Sequence, residues 1–180
     1  HRTVTRVAFI NPNSTIAMTT SCARSFVAQL PEDYHVEAIT NHQAPAAIQG
    51  PEDGDAAVPG VLDIIANGKF DAYVIACFDD TGLDAARCLT ASPVVGIGEA
   101  AYHMASMISN KFGVVTTLSR SIPALEHNLV RYGLAARCSG VRASDIPVLE
   151  VEASNGTAFE RINAEVEQAI KTDKAEAIVL

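Results

Sequence analysis

The chain has 180 residues, of which 48% are hydrophobic, and its 21 acidic and 13 basic side chains give a formal net charge of -8. This length and apolar content suffice for a buried core in one domain or in two small lobes. The acidic balance argues against a nucleic-acid partner. No apolar segment approaches the ~20 residues that cross a bilayer, and the N-terminus lacks a signal-peptide layout, so we expect no membrane partner and a cytoplasmic protein.

The cysteines and histidines do not have metal-ligand spacing. The four cysteines include no CxxC pair, and the five histidines match no zinc or haem pattern, so we predict a reducing compartment and no metal. Three of the cysteines are expected to be packing residues instead of chemical groups. These are Cys22, Cys88 and Cys138.

Strand and helix signals alternate along the chain. A helix is predicted at 15–30 with Ser14 as its cap, another at 56–67 entered through Pro59, and residues 41–55 are predicted to be a long loop that covers a site. The alternation predicts an α/β protein with doubly wound, largely parallel sheets. The predicted strands are 6–10, 34–40, 71–77, 93–97, 112–116, 148–151 and 176–180, and the later helices are 99–109, 119–132 and 159–171.

An internal repeat appears at a constant shift of 105 residues. It aligns 8–14 with 113–119, 35–38 with 140–143 and 61–75 with 166–180, with no gap. We therefore expect two pseudo-symmetric α/β lobes, 1–97 and 98–180, with their strand ends at a shared cleft. The same shift carries Cys77 to position 182, beyond Leu180, and we expect the second lobe to be incomplete at its C-terminus.

Cys77 stands at the end of an apolar, β-branched run and is followed by an acidic turn. Ligands of open α/β sheets bind at the carboxyl ends of strands, and the N-terminus of a following helix would favour the thiolate. Asp79 and Asp80 would oppose that effect if they point inward, although one of them is expected to serve the helix start. We interpret Cys77 as a general base; the alternative is that it is a small buried residue that packs like a hydrophobic side chain.

Three loops are expected to meet at these strand ends: 11–15, 77–81 and 116–119. They offer one thiol, hydroxyls, amides and backbone N–H groups but no Lys or Arg. Such a lining suits a neutral carbon acid, because oriented neutral donors can hold a developing oxyanion. The alternative is that residues 13–15 only cap a helix and that Thr116 and Thr117 are ordinary strand-end residues.

Four motifs in this order resemble hydantoin racemases of the Asp/Glu racemase superfamily: 10–15, 76–84, 93–97 and 112–117. The resemblance implies a cofactor-independent, two-base racemase of 5-monosubstituted hydantoins and a homo-oligomer. Thiols on opposite faces of the substrate carbon would exchange the C5 proton through an enolate. Cys77 matches the first family cysteine, and the second would follow the strand 177–180, so a chain without it is expected not to racemise.

The resemblance also implies which residues bind the small-molecule substrate. Phe78 followed by Asp79 stands where amino-acid racemases carry Asn-Thr, which counts against aspartate or glutamate. Three alternatives remain: an allantoin racemase, a one-cysteine enzyme similar to arylmalonate decarboxylase, and a non-catalytic two-lobed binding protein. The implied substrate-binding residues are Asn13, Ser14, Phe78, Asp79, Thr116 and Thr117.

Overall fold

The structure is a computed structural model that describes residues 3–153 and 156–180. The chain divides into two compact units. The first contains the described residues up to Ile48 and from Glu52 to Gly98, and the second contains Gln49–Pro51 and the described residues from Glu99 to Leu180. Each unit has its own sheet.

The sheet of the first unit has four strands in the order β2-β1-β3-β4, and every neighbouring pair is parallel. Parallel strands need crossover connections, and helices supply them here. The elements are β1 (Thr5–Asn11), α1 (Ile16–Val27), β2 (Tyr34–Thr40), α2 (Pro51–Asn67), β3 (Ala72–Ile75), α3 (Leu83–Arg87) and β4 (Val94–Gly96).

The core of this unit forms on the central strands because their side chains are apolar on both faces, as expected for a covered parallel sheet. In β1, Val7 and Phe9 pack with Val74 of β3 and Ala23 of α1. The rings of Phe9 and Phe26 stack with centroids 5.0 Å apart. This packing fixes α1 against the sheet and sets the direction in which the chain leaves β1.

The second unit has three parallel strands in the order β6-β5-β7. Its buried rings Tyr102 and Phe112 stack with centroids 5.9 Å apart. Short 3-10 turns stand at Ser119–Ser121 and Ala135–Arg137. The elements are α4 (Ile97–Ile108), β5 (Phe112–Thr116), α5 (Ile122–Arg131), β6 (Cys138–Ala143), α6 (Glu150–Ala153), α7 (Thr157–Lys171) and β7 (Ala177–Val179).

Strand registers show where the 105-residue repeat holds. Val7 of β1 pairs with Ala72 of β3, and Phe112 of β5 pairs with Ala177 of β7, so both partners move by 105 residues. The alignment of 35–38 with 140–143 is wrong as an ungapped match. Phe9 pairs with Ala38, but Val114 pairs with Val141 instead of Ala143. A slip of two residues preserves the alternation of faces, so the sequence pattern could not reveal it.

The loop predicted at 41–55 is shorter, because α2 already begins at Pro51 and runs through Pro59. Proline is favoured at the first turn of a helix, and Glu52 and Asp53 provide the acidic first turn that the macrodipole favours. The correct start signal was therefore Pro51, and the interpretation of Pro59 as the entry residue is wrong.

Two other predicted elements differ from the structure. Residues 148–151 do not form a strand; they lead into the short helix α6. The helix predicted at 119–132 begins as a 3-10 turn and becomes α-helical at Ile122. The α/β class with parallel sheets is confirmed. Within residues 3–153 and 156–180, no helix has both the length and the apolar character that a membrane crossing requires.

Candidate functional site

Asn11 organises the loop between β1 and α1. Its buried amide donates from Nδ2 to Oδ1 of Asn13 at 2.8 Å and to Oγ1 of Thr19 at 3.0 Å, and its Oδ1 accepts the backbone N–H of Asn13 at 3.1 Å. Oδ1 of Asn13 in turn accepts the backbone N–H of Thr15 at 2.9 Å. The loop at the end of β1 is therefore held by its own amide side chains.

Ser14 is not the cap that the sequence predicted. Thr15 occupies the N-cap position of α1 without a side-chain capping bond, and Oδ1 of Asn13 accepts the backbone N–H of Thr15 itself. Ser14 is partly exposed and donates its backbone N–H to the carbonyl of Pro45 at 3.0 Å. Asn13 therefore orders the residue that precedes α1 and does not cap the helix.

Asn41 was missed by the sequence analysis. This residue is 2% exposed and follows β2 at the same sheet edge, and its Nδ2 donates to the carbonyls of Pro12 at 3.0 Å and Ala57 at 2.9 Å. A Cβ on Gly60 would overlap the Asn41 amide, so the glycine permits close approach of α2. The signal that could have identified Asn41 was its position directly after the predicted strand 34–40.

Cys77 lies in a tight turn two residues after β3. The backbone N–H of Asp80 donates to the carbonyl of Cys77 at 3.0 Å, and the N–H of Ala76 donates to the carbonyl of Ile10 at 2.8 Å. Since β3 pairs with β1, the turn and the loop 11–15 leave neighbouring strands at the same edge. The thiol and the amide-rich loop therefore belong to one end of the first sheet.

The Asp80 side chain accepts a hydrogen bond from the start of α4. Its Oδ1 accepts the backbone N–H of Gly98, in the first turn of α4, at 2.9 Å. The residue is 5% exposed and has a φ of 53°, a left-handed conformation that Asp tolerates better than most residues. The helix start that this carboxylate supports is therefore that of α4, whereas the sequence predicted that an aspartate would serve the helix directly after the turn.

Replacing Gly98 with alanine should destabilise this turn. A Cβ at this position would lie 2.5 Å from the carbonyl oxygen of Phe78 and 2.8 Å from Oδ2 of Asp80. Overpacking of this kind costs about 1–3 kcal/mol, and we expect that loss in urea unfolding. Gly54→Ala is the matched control, because nothing lies within 4 Å of its Cβ and alanine is the better helix former. Equal effects of the two substitutions would contradict the packing argument.

The electrostatics of Cys77 differ from the expectation that a following helix would favour the thiolate. Burial raises the pKa of Cys77 to about 12, and the Asp79 carboxylate adds to the rise. The Thr81 side chain and the Asp79 backbone act in the opposite direction. The helix α3 begins only at Leu83 and has five residues, so Cys77 does not stand at its N-terminus. A pKa in this range favours the thiol over the thiolate at neutral pH.

Asp79 should make stability depend on pH. Burial and the neighbouring Asp80 raise the pKa of Asp79 to about 6, so the folded state holds this proton more tightly than the unfolded chain does. The charge therefore destabilises the fold above pH ~6 and has no effect below pH ~4. Asp79→Asn should raise the free energy of unfolding at pH 8 by at most about 3 kcal/mol, since one pKa unit corresponds to ~1.4 kcal/mol.

Urea titrations of this variant at pH 8 and pH 5 measure the effect. The gain should shrink as the pH falls through about 6. Asp55→Asn, which changes an exposed acid on α2, is the control and should shift the urea midpoint little at either pH. A gain from Asp79→Asn that is the same at both pH values would show that charge is not its cause.

In the second unit, Thr116 ends β5 and is buried, and Thr117 follows it. The fully buried Ser144 donates its backbone N–H to the carbonyl of Thr116 at 3.0 Å and its Oγ to the carbonyl of Thr117 at 3.3 Å. Asp145 accepts the backbone N–H and the hydroxyl of Ser119 through Oδ1, at 3.0 and 2.6 Å. This loop is fixed in the same manner as the loop after β1.

The remaining cysteines are more exposed than the sequence suggested. Cys22 on α1 and Cys88 after α3 are exposed instead of packed in a core, and Cys138 at the start of β6 is partly exposed. A helical pattern does not say which face a single cysteine occupies. None of the described residues forms a cluster of three or more His, Cys, Asp or Glu side chains that could hold a metal ion.

The predicted site residues therefore divide between the two units. One end of the first sheet carries Asn13, Ser14, Cys77, Phe78 and Asp79, and the end of β5 in the second sheet carries Thr116 and Thr117. Three buried polar residues beside Cys77 or the β1–α1 loop were not among the predicted site residues. They are Asn41, Asp80 and Thr81.

Comparisons with known proteins agree with the resemblance in the sequence. Residues 7–180 match the family model described as Asp/Glu/Hydantoin racemase. A hydantoin racemase from Rhizobium meliloti is 44% identical over 97% of this chain and 73% of its own length, and one from Pseudomonas sp. (strain NS671) is 36% identical over 97% and 72%. The solved allantoin racemase from Klebsiella pneumoniae has a TM-score of 0.93 at 38% identity, covering 98% of this chain and 73% of its own. The chain is an isomerase of the racemase type, and it belongs to the Asp/Glu/hydantoin racemase family.

Proposed function

We propose that the protein racemises 5-monosubstituted hydantoins without a cofactor, with Cys77 as one of two acid–base thiols. The observation that carries this proposal is the position of Cys77 in the turn after β3, beside the amide-rich loop after β1. The 44% identity to a hydantoin racemase supports the choice of substrate.

The chemistry is an exchange of one proton at C5 of the substrate. A thiolate removes the C5 proton and becomes a thiol, and the electron pair moves into the adjacent carbonyl to give an enolate. A thiol on the opposite face then returns a proton to C5 and becomes a thiolate, so that atoms and charges balance. No Lys or Arg occurs in the loops 11–15, 77–81 and 116–119, and neutral donors would therefore hold the enolate oxygen.

Each candidate contact has a role in this scheme. We assign the enolate oxygen to the backbone N–H of Phe78 and to side chains such as Asn13 and Thr116. The Asn13 amide is held by Asn11 and the carbonyl of Thr116 by Ser144, so these groups are preorganised. The remaining proposed contacts with the substrate are Ser14, Asp79 and Thr117.

The second thiol is proposed at position 182 of a chain that includes that residue. The shared registers of β1–β3 and β5–β7 support the proposal, because Val74 pairs with Phe9 as Val179 pairs with Val114. Position 182 then follows Val179 by the same interval at which Cys77 follows Val74. Cys77 is consequently the one base of the pair that stands within the 180 residues.

Deuterium exchange tests the reaction directly. Each enantiomer of a 5-alkyl hydantoin is incubated in D2O with protein that includes position 182, and chirality and C5 deuteration are followed together. We expect inversion accompanied by deuterium incorporation, with no added metal or coenzyme. Inversion without deuteration would contradict the two-base mechanism. Carbon dioxide release from an arylmalonate would instead identify a one-cysteine decarboxylase, and binding without exchange would identify a binding protein.

An allantoin racemase is the second candidate function. The Klebsiella pneumoniae allantoin racemase superimposes with a TM-score of 0.93, and allantoin is itself a hydantoin with a ureido group at C5. The values of kcat/KM for allantoin and for 5-alkyl hydantoins, measured on the same preparation, separate the two. A higher kcat/KM for allantoin would identify allantoin as the preferred substrate and leave the proposed role of Cys77 unchanged.

The same proposal includes a homo-oligomer in a reducing, cytoplasmic compartment. No disulfide joins the four cysteines, which agrees with reducing conditions. Light scattering of the purified protein measures the oligomeric state.

A further inference from the structure

The Thr81 hydroxyl is buried without a hydrogen-bond partner. The residue is 5% exposed, and its Oγ1 has no partner in hydrogen-bond geometry among the described residues. Buried hydroxyls in proteins nearly always find a partner, so an unpaired one beside a candidate catalytic group requires an explanation. Thr81 is also four residues from Cys77, in the turn that holds the thiol.

The fold of the turn directs Thr81 towards the sulfur. Asp80 closes the turn on the carbonyl of Cys77, and the left-handed conformations of Asp80 and Gly82, with φ of 53° and 71°, reverse the chain on either side of Thr81. The Thr81 side chain is near enough to the sulfur to favour the thiolate and lower the pKa of Cys77, against the effect of burial, although the contact is not a formed hydrogen bond.

We propose that the Thr81 hydroxyl is the side-chain hydrogen-bond donor to the Cys77 thiolate. A neutral thiol is a weak acceptor, so the hydroxyl stays unpaired while Cys77 is protonated. When the thiolate forms, the Thr81 O–H donates to Sγ, and when the sulfur takes the C5 proton that bond weakens. This assignment rests on the proposed racemase function for its catalytic meaning, but the contact itself can be tested without substrate.

The other groups around Cys77 define what must be controlled. The Asp79 and Asp80 carboxylates oppose the thiolate, and the Asp79 backbone N–H favours it. The loop 11–15 and β4 carry no ionisable side chain. Of the remaining elements at this edge, α3 carries Asp84 and Arg87, whose guanidinium binds the carbonyl of Val94, and the loop after β2 carries the exposed His42.

Alkylation of Cys77 by iodoacetamide at pH 9 tests the contact, with the Cys77 peptide quantified by mass spectrometry. Thr81→Val removes the hydroxyl and keeps the shape, and we expect alkylation at least about threefold slower. This follows if the thiolate becomes tenfold rarer while its intrinsic reactivity rises by about half as much on a logarithmic scale. Thr81→Ser retains the hydroxyl and should react within about twofold of the wild type.

Two internal comparisons make the test specific. Asp79→Asn removes an opposing charge and should accelerate Cys77 alkylation, the opposite direction to Thr81→Val. The exposed Cys88 should react at the same rate in every variant, which reports an intact fold. If Thr81→Val does not fold, the comparison of Thr81→Ala with Thr81→Ser replaces it.

The outcomes separate this inference from the proposed function. Alkylation of Thr81→Val at the wild-type rate, with Cys88 unchanged, overturns the Thr81 assignment and leaves the racemase proposal standing. Slower alkylation together with unchanged racemisation of both enantiomers supports the contact and removes Cys77 from the reaction. Slower alkylation of Thr81→Val together with a lower kcat, when Thr81→Ser retains the wild-type kcat, supports both the Thr81 contact and the racemase proposal.

Discussion

Substitution of Cys77 by serine or alanine should reduce racemisation by at least about a thousandfold. A positioned acid–base group contributes about 10²–10⁴ in rate, and Cys77 is the proposed base on one face of C5. Serine retains the size of the side chain, but its hydroxyl is a far weaker acid than a thiol. The measurement is the loss of optical rotation with each enantiomer of a 5-alkyl hydantoin.

Deuterium exchange adds a second readout to these variants. Since each sulfur serves one face, C5 exchange should survive for at most one enantiomer when Cys77 is replaced. Cys138→Ser, which changes another partly exposed cysteine, is the control and should racemise normally. Normal racemisation by the Cys77 variants would show that the thiol is not part of the reaction.

Replacing Asn41 with alanine should lower the free energy of unfolding by about 2–4 kcal/mol. The substitution leaves the carbonyls of Pro12 and Ala57 without their donor at a position that is 2% exposed. Each buried polar group that loses its partner costs about 1–3 kcal/mol. Urea unfolding measures the loss, and racemase activity should also fall because Pro12 belongs to the loop that presents Asn13.

Asn67→Ala is the matched control for this prediction. Asn67 is an exposed residue at the end of α2, and the partner of its side chain among the described residues is the carbonyl of Asp63 in the same helix. We expect its urea midpoint to stay close to the wild-type value. A similar loss in both variants would mean that removal of any asparagine, and not the tie between α2 and the β1–α1 loop, causes the effect.

The raised pKa of Cys77 bears on how the proposed reaction begins. At neutral pH the sulfur of the substrate-free protein carries a proton, because burial and two neighbouring carboxylates disfavour the charge. In a two-thiol mechanism this form would donate a proton from Cys77, and the opposite sulfur would remove one.

Local sequence signals determined the order of the elements and the position of the thiol. The strands β2 and β5 have the predicted limits, since each is an apolar or β-branched run with polar turns at its ends. The same reasoning placed Cys77 after a buried parallel strand, and it found the repeat that relates β1 and β3 to β5 and β7. The limits of the strands and the position of the thiol depend on residues close together in the chain, and the repeat depends on two such local patterns occurring in the same order.

The tertiary structure alone decided how that thiol is held and charged. The bond from Gly98 to Asp80 spans 18 residues, and the bond from Asn41 to Pro12 spans 29, distances at which periodicity carries no information. Whether the pKa of Cys77 is raised or lowered depends on how far the surrounding residues shield the sulfur from water. The neighbouring residues in the sequence do not reveal this. Sequence thus determined which groups stand at the strand ends, and long-range packing decided which of them are buried, paired and protonated.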